Sequence, residues 1–174
     1  MTVNELYKKL VARLPDSLAE SWDNDGLMVC PDGDAPVRRV LLALDVTETV
    51  VDFAIENRFD LILTHHPLIF RPLSSLTEDT TVGRKVIKLI KSGIAVISFH
   101  TRVDRVDGGV NDVLADLLEL SEVEPLGELG KARRTVARFY VGEYLKAARV
   151  LLVSFEVSAD QELIVLERQI PQKK

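Results

Sequence analysis

The stretch Asp60-Leu61-Ile62-Leu63-Thr64-His65-His66-Pro67 decides how the rest of the chain is read. Its short apolar run reads as a strand buried on both faces, the form strands take inside a parallel sheet. Two of the chain's three histidines then stand side by side where that strand opens into a loop. Adjacent imidazoles leaving a rigid strand can each present a neutral nitrogen to a cation, and imidazole suits zinc, iron, manganese or nickel. A metal centre is therefore the first hypothesis. The plainer reading is two polar residues that cap a strand or hydrogen-bond a neighbouring loop, and only partners elsewhere in the chain separate the two.

Outward from this strand, the apolar period switches repeatedly between helical and extended patterns. Thr2 and Glu5 suit a capping box, and Leu6, Tyr7, Leu10, Val11 and Leu14 then share one helical face, ending near Pro15. Val37 to Leu44 reads as a buried strand, and Thr47 opens a helix with Val50, Val51, Ala54 and Ile55 turned inward. Beyond the loop around Pro67 and Pro72, Val82 to Ile90 is predicted helical, with Gly93 at a left-handed C-terminal cap. Ile94 to Phe99 is the next strand. A helix over about Val110 to Leu120 places Val110, Val113, Leu114, Leu117 and Leu118 on its apolar side.

This alternation predicts an α/β fold, a mainly parallel sheet flanked by helices and joined by right-handed crossovers. Sites in such sheets gather at the carboxyl ends of the strands. Asp45 falls there after one strand, His65 and His66 after the next, and His100 with Asp104 after the third. A histidine pair plus a carboxylate converging from separate strand ends is a far stronger metal signal than any one of them. No phosphate loop competes: Gly83-Arg84-Lys85 lacks the Walker spacing, and Asp107-Gly108-Gly109 reads as a turn opening a helix.

Composition narrows the function classes. The 174 residues, 47% of them hydrophobic, are enough for one domain with a real core. A net charge of −5 argues against a general nucleic-acid or anionic-membrane surface, which would need a basic patch. No run approaches the roughly 18 apolar residues of a membrane-spanning helix, and the N-terminus lacks the pattern of a signal peptide. A cytoplasmic protein is expected. The single cysteine, Cys30, cannot close an internal disulfide or build a zinc ribbon.

Four spaced motifs carry a family resemblance. Ser21-Trp22-Asp23-Asn24-Asp25-Gly26-Leu27, Leu44-Asp45-Val46-Thr47, Thr64-His65-His66-Pro67-Leu68-Ile69-Phe70 with Pro72-Leu73, and His100-Thr101-Arg102-Val103-Asp104 followed by Gly108 to Leu114 resemble the Nif-three-like dinuclear metal proteins. These are also known as GTP cyclohydrolase 1 type 2 homologues. The resemblance covers about residues 3–120. It implies that His65, His66 and Asp104 bind divalent metal, one or two ions per chain, and that the fold and a ring-shaped homohexamer are those of the family. His100 then either binds the metal directly or, the favoured reading, orients Asp104 or a bound water, and Asp45 either does the same or caps the Thr47 helix.

The chain also departs from that family. Its members usually continue through a second α/β half whose closing Gly-His-x-x-Thr-Glu motif completes the two metal sites, whereas here no histidine follows His100. The expected organisation is a metal-binding α/β domain over 1–125, with a shortened, atypical β-rich extension over 126–174 packing on it. Within that extension, Arg134 to Val141, Leu151 to Val157 and Leu163 to Leu166 read as strands around a Ser158 to Gln161 turn. Glu143, Glu156, Asp160 and Glu162 are the candidate replacement carboxylates.

A catalytic centre of this kind would hydrolyse its substrate with a water whose pKa the metal lowers, acting on a nucleotide or phosphoester. Trp22, Asp23 and Asn24 are the candidate substrate loop, Trp22 offering a stacking face and the polar pair hydrogen bonds to a substrate or to a ligand histidine. The same segment also reads as a packed loop in which Asp23 caps a turn. Arg71 and Arg102 are candidates to hold a phosphate. The alternative function is a non-catalytic metal-binding or scaffold protein with an incomplete site, and a further one is a shortened gene product that cannot assemble the full centre.

Overall fold

Local sequence chemistry sets each element before packing does. The computed structural model describes residues 1–121, 123, 152–157 and 163–168. Helix α1 (Val3–Arg13) opens on the expected capping box: the Thr2 hydroxyl accepts from the Glu5 amide, and the Glu5 carboxylate accepts from the Thr2 amide. Strand β1 (Gly26–Val29) follows a 3₁₀ turn at Asp16–Leu18. Then come β2 (Arg39–Ala43), α2 (Glu48–Glu56), β3 (Leu61–Thr64), α3 (Thr81–Lys91) and β4 (Ala95–Ser98). Two short helices, α4 (Thr101–Arg105) and α5 (Val110–Leu117), close this part of the chain. Strands β5 (Leu152–Val157) and β6 (Leu163–Arg168) lie further on.

The strands form one sheet in the order β1-β4-β3-β2-β5-β6. At its centre β2, β3 and β4 run parallel, with Ala43 beside Thr64 and Thr64 beside Ser98. This is the α/β arrangement that the alternating pattern predicts. The flanks differ from the parallel expectation: β1 joins β4, and β5 joins β2, both antiparallel. The strand read at Arg134 to Val141 and the turn at Ser158 to Gln161 lie outside the described residues, as do Glu143, Asp160 and Glu162. Glu156 pairs with Arg39, the first residue of β2, so it sits at the opposite end of the sheet from the histidines.

Two apolar layers hold this sheet. Leu41, Ile62 and Val96 face one way, onto Val51 and Ala54 of α2 and Val86 and Leu89 of α3. Val40, Leu61, Ala95 and Ile97 face the other way, onto Val3 and Leu6 of α1. The central strands are thus covered on both sides, which is why they read as continuous apolar runs. Gly93 takes the expected left-handed conformation after α3, at φ +69°. Helix α5 departs from expectation: it ends at Leu117, buries Ala115 and leaves Val113, Leu114 and Leu117 exposed. Among the described residues no helix is long and apolar enough to cross a membrane.

Candidate metal centre

Parallel pairing of β2, β3 and β4 brings their carboxyl ends to one edge, and backbone hydrogen bonds continue just past the strands. The His66 amide donates to Leu44 O at 2.9 Å, and the Phe99 amide donates to Thr64 O at 2.9 Å. The buried Thr64 hydroxyl donates to His66 O at 2.9 Å and lies 2.8 Å from the Ser98 hydroxyl. A threonine and a serine at matching register therefore fix where the histidine-bearing loops begin.

Three imidazoles meet at this edge. His65, His66 and His100 each offer one nitrogen, and these atoms all lie within 4.8 Å of one another. Two of the rings are oriented by carboxylates: His66 Nδ1 is 2.8 Å from Asp45 Oδ1, and His100 Nδ1 is 3.0 Å from Asp23 Oδ1. A carboxylate on Nδ1 fixes the ring and leaves Nε2 as the donor atom, the arrangement typical of metal-binding histidines. His65 differs, because its buried Nδ1 has no hydrogen-bond partner. No group among the described residues orients this ring through Nδ1, while its Nε2 lies 3.7 Å from Asp104 Oδ1. Burial lowers the His65 pKa against the pull of Asp104, and the neighbouring His66 and His100 lower it further, which favours the neutral ring a metal requires.

The other residues singled out from sequence sit as follows. Asp104, on α4, places Oδ1 3.7 Å from His65 Nε2, and its carbonyl accepts from Asn111 Nδ2 at 2.7 Å. Asp45 does not cap α2; the Thr47 hydroxyl accepts from the Val50 amide at 3.1 Å, leaving the aspartate for His66. Asp23 is more than a loop residue. Its other oxygen accepts from the Thr101 amide at 3.1 Å and the Thr101 hydroxyl at 2.6 Å, so one carboxylate holds both His100 and the start of α4. Asn24 Nδ2 donates to Ile69 O at 2.5 Å, tying the Trp22 loop to the loop after β3.

Arg102 is not placed to hold a phosphate. Its guanidinium is buried against Asp25, with Nε 2.9 Å from Oδ1, and Nη1 donates to Leu14 O at 2.9 Å and Asp16 Oδ1 at 2.6 Å. Burial works against its charge, but Asp25 and Asp16 outweigh it and raise the pKa. Arg71 is exposed. Sequence reasoning missed the Asp25–Arg102 pair, for which the only signal was that Asp25 lies in the Ser21–Leu27 motif; it offered Asp23 as a partner for a ligand histidine without saying which, and that histidine is His100.

An α/β sheet with a parallel centre and a histidine cluster at the carboxyl ends of those strands defines a class: α/β proteins with a candidate metal centre between loops. The comparisons sharpen this. The family model for Duf34/NIF3 (NGG1p interacting factor 3) matches residues 1–170, and the chain belongs to that family. It is 49% identical to a GTP cyclohydrolase 1 type 2 homolog of Halalkalibacterium halodurans over 125 residues, 72% of this chain and 32% of that protein. A second homolog of the same name, from Clostridium perfringens, is 47% identical over 118 residues, covering 68% of this chain and 45% of that one. Among solved structures, a Bacillus cereus protein related to NIF3 superposes with a TM-score of 0.68 at 42% identity, over 73% of this chain and 35% of that one. The chain thus spans less than half of the length of each of these relatives.

Proposed function

We propose that this chain binds a divalent cation through His65, His66 and His100, with Asp104 close enough to join them, and that it serves a metal-dependent hydrolase. The observation that carries this reading is the cluster of three imidazole nitrogens within 4.8 Å, two of them backed by carboxylates. Imidazole donors with nearby carboxylate suit zinc, iron, manganese or nickel. When bound, such a cation supplies Lewis acidity for hydrolysis. The chain's own residues position the rings, favour the neutral form of His65 and hold Asp104 at the rim. The relatives' name extends the reading to a nucleotide substrate, metal-activated hydrolysis would serve a phosphoester equally, and the family resemblance adds a homo-oligomer of hexameric form; a cytoplasmic location rests on the sequence expectation. One ion is the simpler fit to three histidines and a single aspartate; a second needs further carboxylates or a neighbouring subunit.

Elemental analysis of the purified full chain tests the metal reading. The expected result is near-stoichiometric metal in the wild type and a large loss in His65→Ala and His100→Ala. Unchanged content in both variants contradicts it. Turnover of nucleotides and phosphoesters by metal-loaded protein tests the enzyme half; saturating metal with no turnover supports a non-catalytic metal-binding role. Sedimentation of the same samples reads the oligomeric state, a single monomeric species being the result that contradicts self-association.

A further inference from the structure

The loops beside the histidine cluster carry two large aromatic rings that the protein leaves open. Trp22 is 58% exposed and Phe70 is 44% exposed. They meet edge to face with centroids 6.3 Å apart, and each stands edge-on to His100, at 6.2 Å and 6.4 Å. The corner they form is held from outside the rings. Asn24 bonds Ile69 O across the two loops, the Asp23 amide donates to Glu20 O at 3.0 Å, and the Asp23 carboxylate is fixed by His100 and Thr101. Exposed apolar rings in a fixed corner next to a candidate reacting centre are the usual form of a stacking platform.

Charge defines what the platform accepts. Asp23, Asp45 and Asp104 border the cluster. Among the described residues the nearby cations other than Arg71 are engaged elsewhere: Arg102 with Asp25 and Asp16, Arg105 with Glu20 at 3.6 Å, and Lys85 with Val46 O at 2.5 Å. Arg71, exposed next to Phe70, is one cation against those three carboxylates, so the balance of charge at the corner does not favour an anion. We propose that Trp22 and Phe70 form a stacking subsite for an uncharged flat heteroaromatic ring of the nucleobase class, recognised by its ring and not by a phosphate. The proposal deepens the metal-hydrolase reading by naming the part of the substrate that the protein grips, and it rests on that reading only for what lies beside the ring.

Trp22 is the chain's only tryptophan, so its fluorescence reports on this corner alone. The full chain, stripped of metal, is titrated with guanosine and separately with ribose 5-phosphate, with emission corrected for absorbance. Saturable quenching by guanosine and none by ribose 5-phosphate is expected. Phe70→Ala should weaken guanosine by about fivefold or more, since an aromatic partner of this kind adds appreciably to binding. Phe70→Leu, which keeps the bulk and loses the π face, should weaken it in the same direction and guards against a folding defect in the alanine variant. No saturable quenching by guanosine, equal affinity in wild type and both variants, or quenching by ribose 5-phosphate overturns the proposal. Because the titration needs no metal, quenching in a chain that binds no cation leaves the stacking site standing alone, whereas metal binding without quenching leaves only the metal reading.

Discussion

At the scale of single residues, the Asp23 carboxylate links the site to the fold, holding His100 with one oxygen and Thr101 with the other. Burial pushes its pKa up, but the hydrogen bonds from Thr101 and His100 outweigh burial and hold it below the ordinary value of 3.8. A carboxyl depressed in the folded state adds stability above its unfolded pKa and loses it as pH falls through the folded one. Thermal melts of the metal-free protein should therefore fall on acidification below about pH 4, and Asp23→Asn should flatten that decline; an identical acid limb in the variant contradicts this role. Because partners that orient ligand histidines tune affinity, Asp45→Asn should also weaken metal binding by about 10–100-fold, read by competition with a chelating dye. Arg102 offers a stability prediction: Asp25→Ala strands a buried guanidinium, and chemical denaturation should show a loss of about 3 kcal/mol. A loss near zero would mean that Asp16 and Leu14 O suffice. Residue chemistry was partly legible in the sequence: histidines at strand ends are visible as such, but the Asp23–His100 pair joins positions 77 residues apart, which no local pattern encodes.

At the scale of elements, α4 and α5 show how backbone proximity places Asp104. Gly109 opens α5, and a Cβ there would lie 2.1 Å from Val103 O of α4 and 2.8 Å from Val106 O. Both obstacles are backbone, so Gly109→Ala must push the two helices apart at a cost of about 1–3 kcal/mol, and displace Asp104 with them. The measurement is a melt paired with a metal titration: lowered stability with weakened binding is expected, and wild-type values in both contradict the coupling. Gly83 is also a packing glycine and not a piece of a phosphate loop, since a Cβ would come within 2.0 Å of Thr77 O. Long elements with a clear period were legible, and α1 with its capping box was read almost to the residue. Short ones were not. β1 is four residues with a register shift between Leu27 and Val29, and α4 is five residues of mixed charge, so neither shows enough period to announce itself.

At the scale of the whole molecule, strand–helix alternation revealed the parallel centre because continuous apolar strands need cover on both faces, and α1 on one side with α2 and α3 on the other provide it. The antiparallel flanks carried no such signature, since an edge strand's pairing is chosen by distant segments. The apolar row of α5 reads as a buried face yet stands exposed at Val113, Leu114 and Leu117, because periodicity shows which side of a helix is apolar and not what lies against it. The same limit applies to the centre: His65, His66 and His100 come from two adjacent parallel strands, and only the sheet order makes them neighbours. Whether those rings hold a cation decides the role of the site. Anomalous diffraction from crystals of the full chain grown with Mn²⁺ or Zn²⁺, recorded at the metal edge, tests this most directly. A strong peak is expected within bonding distance, about 2.0–2.2 Å, of nitrogens from His65, His66 and His100; a map with no peak among the three imidazoles at saturating metal contradicts a metal centre here.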